Sequence, residues 1–159
     1  MFYSYIPTPI GRLCVVASEE GLVNIDFEND PNPYPLTSSD IYDPIKLSDV
    51  AEQFKLYFKK ELTSFRLPLS PSGTDFQKTV WQELQNIPYG EVISYKTLAQ
   101  RIGNIKAVRA VGNANGKNPL PIVVPCHRVI GSNGTLTGFA GGLEIKQRLL
   151  DLESNHLFS

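Results

Sequence analysis

The sequence predicts an α+β fold in two parts: a small antiparallel sheet with one helix, then a mainly helical half built around a helix-turn-helix. Three features predict it. The first 27 residues are short β-branched and aromatic runs separated by turns. Residues 66–73, RLPLSPSG, place two prolines and a glycine between unlike segments. The chain beyond that break carries helix-capping signals. We place the domains at 1–70 and 71–159.

In order, FYSYI, LCVVAS and LVNIDF read as three strands, with PTPIG and EEG as the turns of a meander. Residues 28–46 are rich in Pro, Asp and Ser and read as a loop. LSDVAEQFKLYFKKEL is an amphipathic helix with Ser48 as N-cap and Leu47, Val50, Ala51, Phe54 and Phe58 on one face. TDFQKTVWQELQNI opens with a capping box, Thr74 and Gln77, and places Phe76, Val80, Trp81, Leu84 and Ile87 at helical spacing. PYGEVIS breaks that helix. Ser94 can cap a short helix, YKTLAQRIG, ended by Gly103, and the basic segment KAVRAVGNAN follows after a tight turn, which is the helix-turn-helix pattern. GKNPLPIVVPCHRVIG, with Pro119, Pro121 and Pro125, predicts irregular chain. SNGTLTG and FAGG read as turns, and LEIKQRLLDLE as a last helix burying Leu143, Leu149, Leu150 and Leu152.

The 159 residues are 42% hydrophobic, enough for a packed core. No stretch reaches the roughly 20 apolar residues of a membrane span, and the first residues lack a secretory pattern. Two cysteines make no disulfide scaffold, so a reducing, cytoplasmic setting is expected. Net charge is −1, but it is unevenly spread. Residues 1–73 carry 6 basic and 10 acidic side chains, and residues 74–159 carry 9 and 6. Residues 96–143 hold Lys96, Arg101, Lys106, Arg109, Lys117 and Arg128 and no acid, a local positive field suited to nucleic acid.

Inside that field Cys126 precedes His127. Cys14 fits a strand position with no histidine near it in sequence, whereas Cys126 follows a proline among basic residues, which lower a thiol's pKa. Adjacent residues do not face each other, so a direct Cys–His pair is disfavoured and a water-bridged relay is easier. The second imidazole nitrogen then needs an orienting acid, for which Glu144, Asp151 and Glu153 follow in the sequence. Cys14, Cys126, His127 and His156 fit no zinc spacing, and no phosphate-cradling glycine motif occurs.

PCHRV at 125–129, with R-A-V-G at 109–112, Asn118-Pro119, Ser94-Tyr95 and G-G-L at 141–143, resembles the O6-alkylguanine-DNA alkyltransferases over residues 74–159. The resemblance implies a winged helix-turn-helix-like C-terminal domain behind a ribonuclease-H-like support domain. It implies single-turnover repair of O6-alkylguanine, and also O4-alkylthymine, in duplex DNA, with the flipped base passing through the minor groove. Cys126 would accept the alkyl group, with His127 acting through a water and Glu153 completing the relay. Tyr95 would hydrogen-bond the base, and Asn118 would hold the turn before the active-site loop. Arg109 would be the finger entering the duplex, with Ala110 and Gly112 allowing close approach. Ser94, Lys96, Lys106, Lys117 and Arg128 would join the DNA surface. The carbonyls of Cys126 and Val129 would read the base, and Gly138, Phe139, Ala140 and Gly141 would wall the pocket. Ala140 stands where some relatives have serine. No cofactor, zinc or other metal is implied. The partner would be damaged duplex DNA, the protein otherwise monomeric, with cooperativity on DNA open. A non-catalytic lesion-binding module and a Cys–His hydrolase remain as alternatives.

Overall fold

The computed structural model describes residues 1–154, so His156 lies outside the described residues. The chain divides into two compact units, Met1–Ser72 and Gly73–Ser159.

In the first unit β1 (Phe2–Thr8), β2 (Gly11–Ser18) and β3 (Gly21–Asp26) form the expected antiparallel meander. Period-2 alternation drives it: Ile6, Leu13 and Val15 are buried on one face, while Tyr5 and Arg12 are exposed on the other. The reading of residues 28–46 as loop missed β4 (Ile41–Tyr42), which pairs parallel with β1. The helix α1 (Ser48–Phe58) packs against β1 with Phe54 and Tyr57 buried. Each such side chain stabilises the fold by about 1.5–3 kcal/mol relative to exposure. Leu47, not Ser48, occupies the N-cap, and no side chain caps the helix. Gln53, outside the expected apolar face, is buried because its amide accepts from Arg66 N (2.8 Å) and donates to Arg66 O (3.1 Å). The returning segment then lies along β3, where Leu22 N donates to Pro68 O at 2.8 Å. Gly21 permits that approach, since its φ is +152° and a Cβ there would stand 2.6 Å from Pro68 O.

In the second unit α2 (Asp75–Leu84) carries the full Thr74–Gln77 capping box. Its buried Trp81 donates to Ala114 O at 2.8 Å, fixing α2 on α4 (Val108–Gly116). Ser94 caps α3 (Tyr95–Arg101), and Gly103, with φ +79°, closes it. A single 3-10 turn, Ile105–Ala107, leads into α4 and completes the helix-turn-helix. Residues 116–131 are more ordered than their prolines predict: a 3-10 turn at Cys126–Arg128 runs into β6 (Val129–Ile130), which pairs parallel with β5 (Ile93–Ser94). The last helix, α5 (Leu143–Ser154), buries Lys146, Leu149 and Glu153; Leu143 is exposed and Leu150 and Leu152 only half-buried, contrary to the leucine face expected.

Candidate active site

The 3-10 turn resolves the awkward adjacency of Cys126 and His127. His127 is fully buried, and its Nε2 lies 2.7 Å from Glu153 Oε2 at the end of α5. Glu153, and not Glu144 or Asp151, is therefore the acid that orients the imidazole. Burial pushes the Glu153 carboxyl up, but hydrogen bonds and charge from His127 and Arg128 outweigh it and hold it at about 2. An ionised carboxylate only accepts, so Nε2 must donate. Burial pushes the His127 pKa down against the pull of Glu153, so the ring is neutral and its single proton sits on Nε2. Nδ1 is left as a bare acceptor, and among the described residues it has no hydrogen-bond partner.

Arg128 was placed on the DNA surface from its sequence, and the structure corrects this. It is buried, donating through Nε to Glu153 Oε1 (2.8 Å), through Nη2 to Oε2 (3.1 Å) and through Nη1 to Ile87 O (2.7 Å). A carboxylate at a helix C-terminus opposes the helix dipole, and this two-pronged guanidinium compensates for it.

The Cys126 thiol is also buried, 6% exposed. Proximity to basic residues in sequence suggested a lowered pKa. Instead burial pushes it up to about 11, against the Asn118 side chain and the Lys146 charge. The thiol is therefore protonated at neutral pH, and its proton must leave as it reacts. Asn118 holds the loop before it, donating to Val124 O (2.7 Å) and accepting from Leu120 N (2.9 Å). That loop contains Ile122 at φ +75°, a left-handed conformation that a β-branched residue adopts only under strain.

A cleft of about 680 Å³ lies along α4, lined by Tyr95, Arg109, Gly112, Lys117, Thr137, Gly138, Phe139 and Ala140 among others. A Cβ added to Gly112 would meet the Tyr95 ring at 3.6 Å. Lys96, Lys106, Arg109, Ala110 and Lys117 are exposed. Ser94 is engaged otherwise: its hydroxyl accepts from Thr97 N and donates to Thr97 Oγ1, both at 3.0 Å. Cys126, Val129 and Gly141 do not line the cleft. The Val129 and Cys126 carbonyls already accept bonds, from Lys146 Nζ (2.7 Å) and Asn115 Nδ2 (3.4 Å) respectively.

Sequence reasoning missed Lys146, which is fully buried and donates to both Val129 O and Thr137 O (3.0 Å). The available signal was the helical stripe 146–149–150–153, which puts a lysine and a glutamate on the leucine face. Thr137, whose Oγ1 lies 2.8 Å from the Tyr95 hydroxyl, carried no signal. Among the described residues no three His, Cys, Asp or Glu side chains gather as metal ligands, and no helix is long and apolar enough to cross a membrane.

The chain is similar to known proteins over almost its whole length. Residues 75–155 match the DNA-binding domain of 6-O-methylguanine DNA methyltransferase, and residues 1–71 match its ribonuclease-like domain. A methylated-DNA–protein-cysteine methyltransferase of Methanosarcina barkeri is 47% identical, over 99% of this chain and 99% of its own. One from Haemophilus influenzae is 45% identical, over 96% of this chain and 86% of its own. The structure of Mycobacterium tuberculosis OGT in complex with DNA superposes with a TM-score of 0.91 at 43% identity, covering 98% of this chain and 94% of that one. The chain belongs to the 6-O-methylguanine DNA methyltransferase family.

Proposed function

We propose that this protein repairs DNA by moving an alkyl group from O6 of guanine, or O4 of thymine, in duplex DNA onto its own Cys126. The observation that carries this reading is the buried Cys126–His127–Glu153 arrangement, with its bare imidazole acceptor, in the same unit as a basic helix-turn-helix. The target carbon lies inside a stacked duplex, so the nucleotide must be flipped out to reach a buried thiol. Arg109, on the cleft and exposed, fills the gap left in the stack. Lys96, Lys106 and Lys117 neutralise phosphates, and Ala110 and Gly112 keep the helix face low against the groove. Gly138, Phe139 and Ala140 wall the base pocket.

As the base enters, the thiol proton passes through one water to His127 Nδ1, and Glu153 stabilises the resulting imidazolium. The sulfur attacks the alkyl carbon while the C–O6 bond breaks and its electron pair leaves with guanine. Tyr95 hydrogen-bonds the departing base. Overall the thiol hydrogen is replaced by the alkyl group, and guanine regains a hydrogen. The thioether product has no ready hydrolysis step, so each molecule acts once. The substrate carries the transferred group and no cofactor enters. A free thiol and a DNA substrate fit a cytoplasmic setting. The first unit, Met1–Ser72, serves as a structural support.

The test is the intact mass of the protein after incubation with duplex DNA bearing O6-methylguanine. The expected gain is one methyl group, mapped to Cys126 and stopping at stoichiometry, with Cys126→Ala binding the lesion but gaining nothing. Binding by the wild type without a mass change indicates a lesion-binding module, and turnover of an ester or peptide indicates a hydrolase.

A further inference from the structure

The geometry points to Thr137 as a positioning residue that acts on the departing base through Tyr95. This rests on the reading that Tyr95 hydrogen-bonds the bound base. Thr137 Oγ1 and the Tyr95 hydroxyl lie 2.8 Å apart, and both residues line the same cleft. When the phenol O–H turns to the base, its oxygen is left as an acceptor, and the Thr137 O–H is the donor beside it. Charge then spreads from the departing guanine to the phenol oxygen and on to the threonine hydroxyl. Such chains of hydrogen bonds strengthen one another as charge develops.

The backbone keeps Thr137 in place. Lys146, fully buried on α5, donates to Thr137 O at 3.0 Å and to Val129 O at 2.7 Å, so one ammonium ties the pocket loop to the strand that follows the nucleophile. Burial lowers the Lys146 pKa, and its two carbonyl acceptors hold the ammonium in place. The loop, β6 and α5 thus set where the threonine hydroxyl stands, and the hydroxyl sets the phenol. Among the described residues this side-chain bond is the one hydrogen bond of the Tyr95 hydroxyl.

The test is single-turnover methyl transfer from duplex DNA bearing one O6-methylguanine, measured at saturating protein beside the Kd for the same DNA. Thr137→Val removes the hydroxyl and keeps the shape. It is expected to lower the transfer rate constant about three- to tenfold, the worth of one hydrogen bond, with Kd unchanged. Thr137→Ser keeps the hydroxyl and is expected to restore the rate. In a Tyr95→Phe background Thr137→Val is expected to cost nothing further. A Thr137→Val rate equal to wild type, a loss confined to Kd, a Thr137→Ser variant as slow as Thr137→Val, or losses that add in the Tyr95→Phe background would each overturn the assignment. Failure of the wild type to gain a methyl on Cys126 would instead overturn the functional reading itself.

Discussion

The two units bury different chemistry. Met1–Ser72 buries an apolar core around Leu13, Val15 and Phe54, and its buried polar groups are Ser4, Asp26 and Gln53. Asp26 accepts from Tyr34 N, and Gln53 bonds both backbone groups of Arg66, so both groups hold chain segments in place. The second unit buries His127, Arg128, Lys146 and Glu153 beside a buried thiol. A charged group taken out of water costs several kcal/mol, so four ionisable side chains within one small unit are a poor route to stability. Their arrangement makes sense as chemistry: one carboxylate fixes a tautomer, one guanidinium holds the carboxylate, and one ammonium ties a loop to a strand.

The largest break in that comparison comes from Glu153→Ala. It leaves Arg128 buried without its partner and frees the His127 ring. Stability should fall by about 3–5 kcal/mol, the usual cost of orphaning a buried charge, and methyl transfer should collapse. Trp81 is the single tryptophan and lies on α2, so its fluorescence during denaturant unfolding reports on the second unit. A loss below about 1 kcal/mol, the range of an exposed pair, would show that the Glu153 network behaves like a surface one.

Acid sharpens the same contrast with the protein unaltered. His127 has a folded pKa below its ordinary 6.5, so its contribution is complete above that value and is lost as pH falls and the unfolded chain takes up the proton. Glu153 is held at about 2 against an ordinary 4.5, so its contribution is complete above 4.5 and is lost on the way down to about 2. Both act in one direction. The Trp81 unfolding midpoint should begin to drop below pH 6.5 and drop faster below 4.5. A midpoint flat from pH 7 to pH 4 would contradict the buried neutral histidine.

Local signals were legible in the sequence, and non-local ones were not. The meander, the Thr74–Gln77 box and the Gly103 stop depend on residues within a few positions of each other, and each stands where the pattern puts it. The strands β4, β5 and β6 have two residues each and pair across long separations, so no periodicity could announce them. In the site, Cys126, His127 and Glu153 rested on one short motif and the family it resembles, and the structure brings the last two together. Arg128 was misplaced because the sequence shows which residues are basic but not which way a 3-10 turn points them. Lys146 was passed over because lysine is almost never fully buried unless paired, and its partners are backbone carbonyls that no sequence pattern displays.

The smallest effect compares one helix start from each unit. Both Ser48 and Thr74 are residues that favour the N-cap, and sequence alone treats them alike. In the structure Thr74 has extended backbone, φ −71° and ψ 164°, which aims its hydroxyl at Gln77 N, 3.1 Å away. Ser48 has already entered the helix, and Leu47 before it, at φ −102° and ψ 15°, supplies no side-chain acceptor. The difference lies upstream: Leu47 is buried at 5% exposure, so burial of its side chain fixes the entry of α1 and leaves the serine one position late. Thr74→Ala should therefore cost about 1 kcal/mol in denaturant unfolding, and Ser48→Ala should cost nothing measurable. Equal losses would mean that Ser48 reaches a backbone amide in solution, and that the burial of Leu47 does not set where α1 begins.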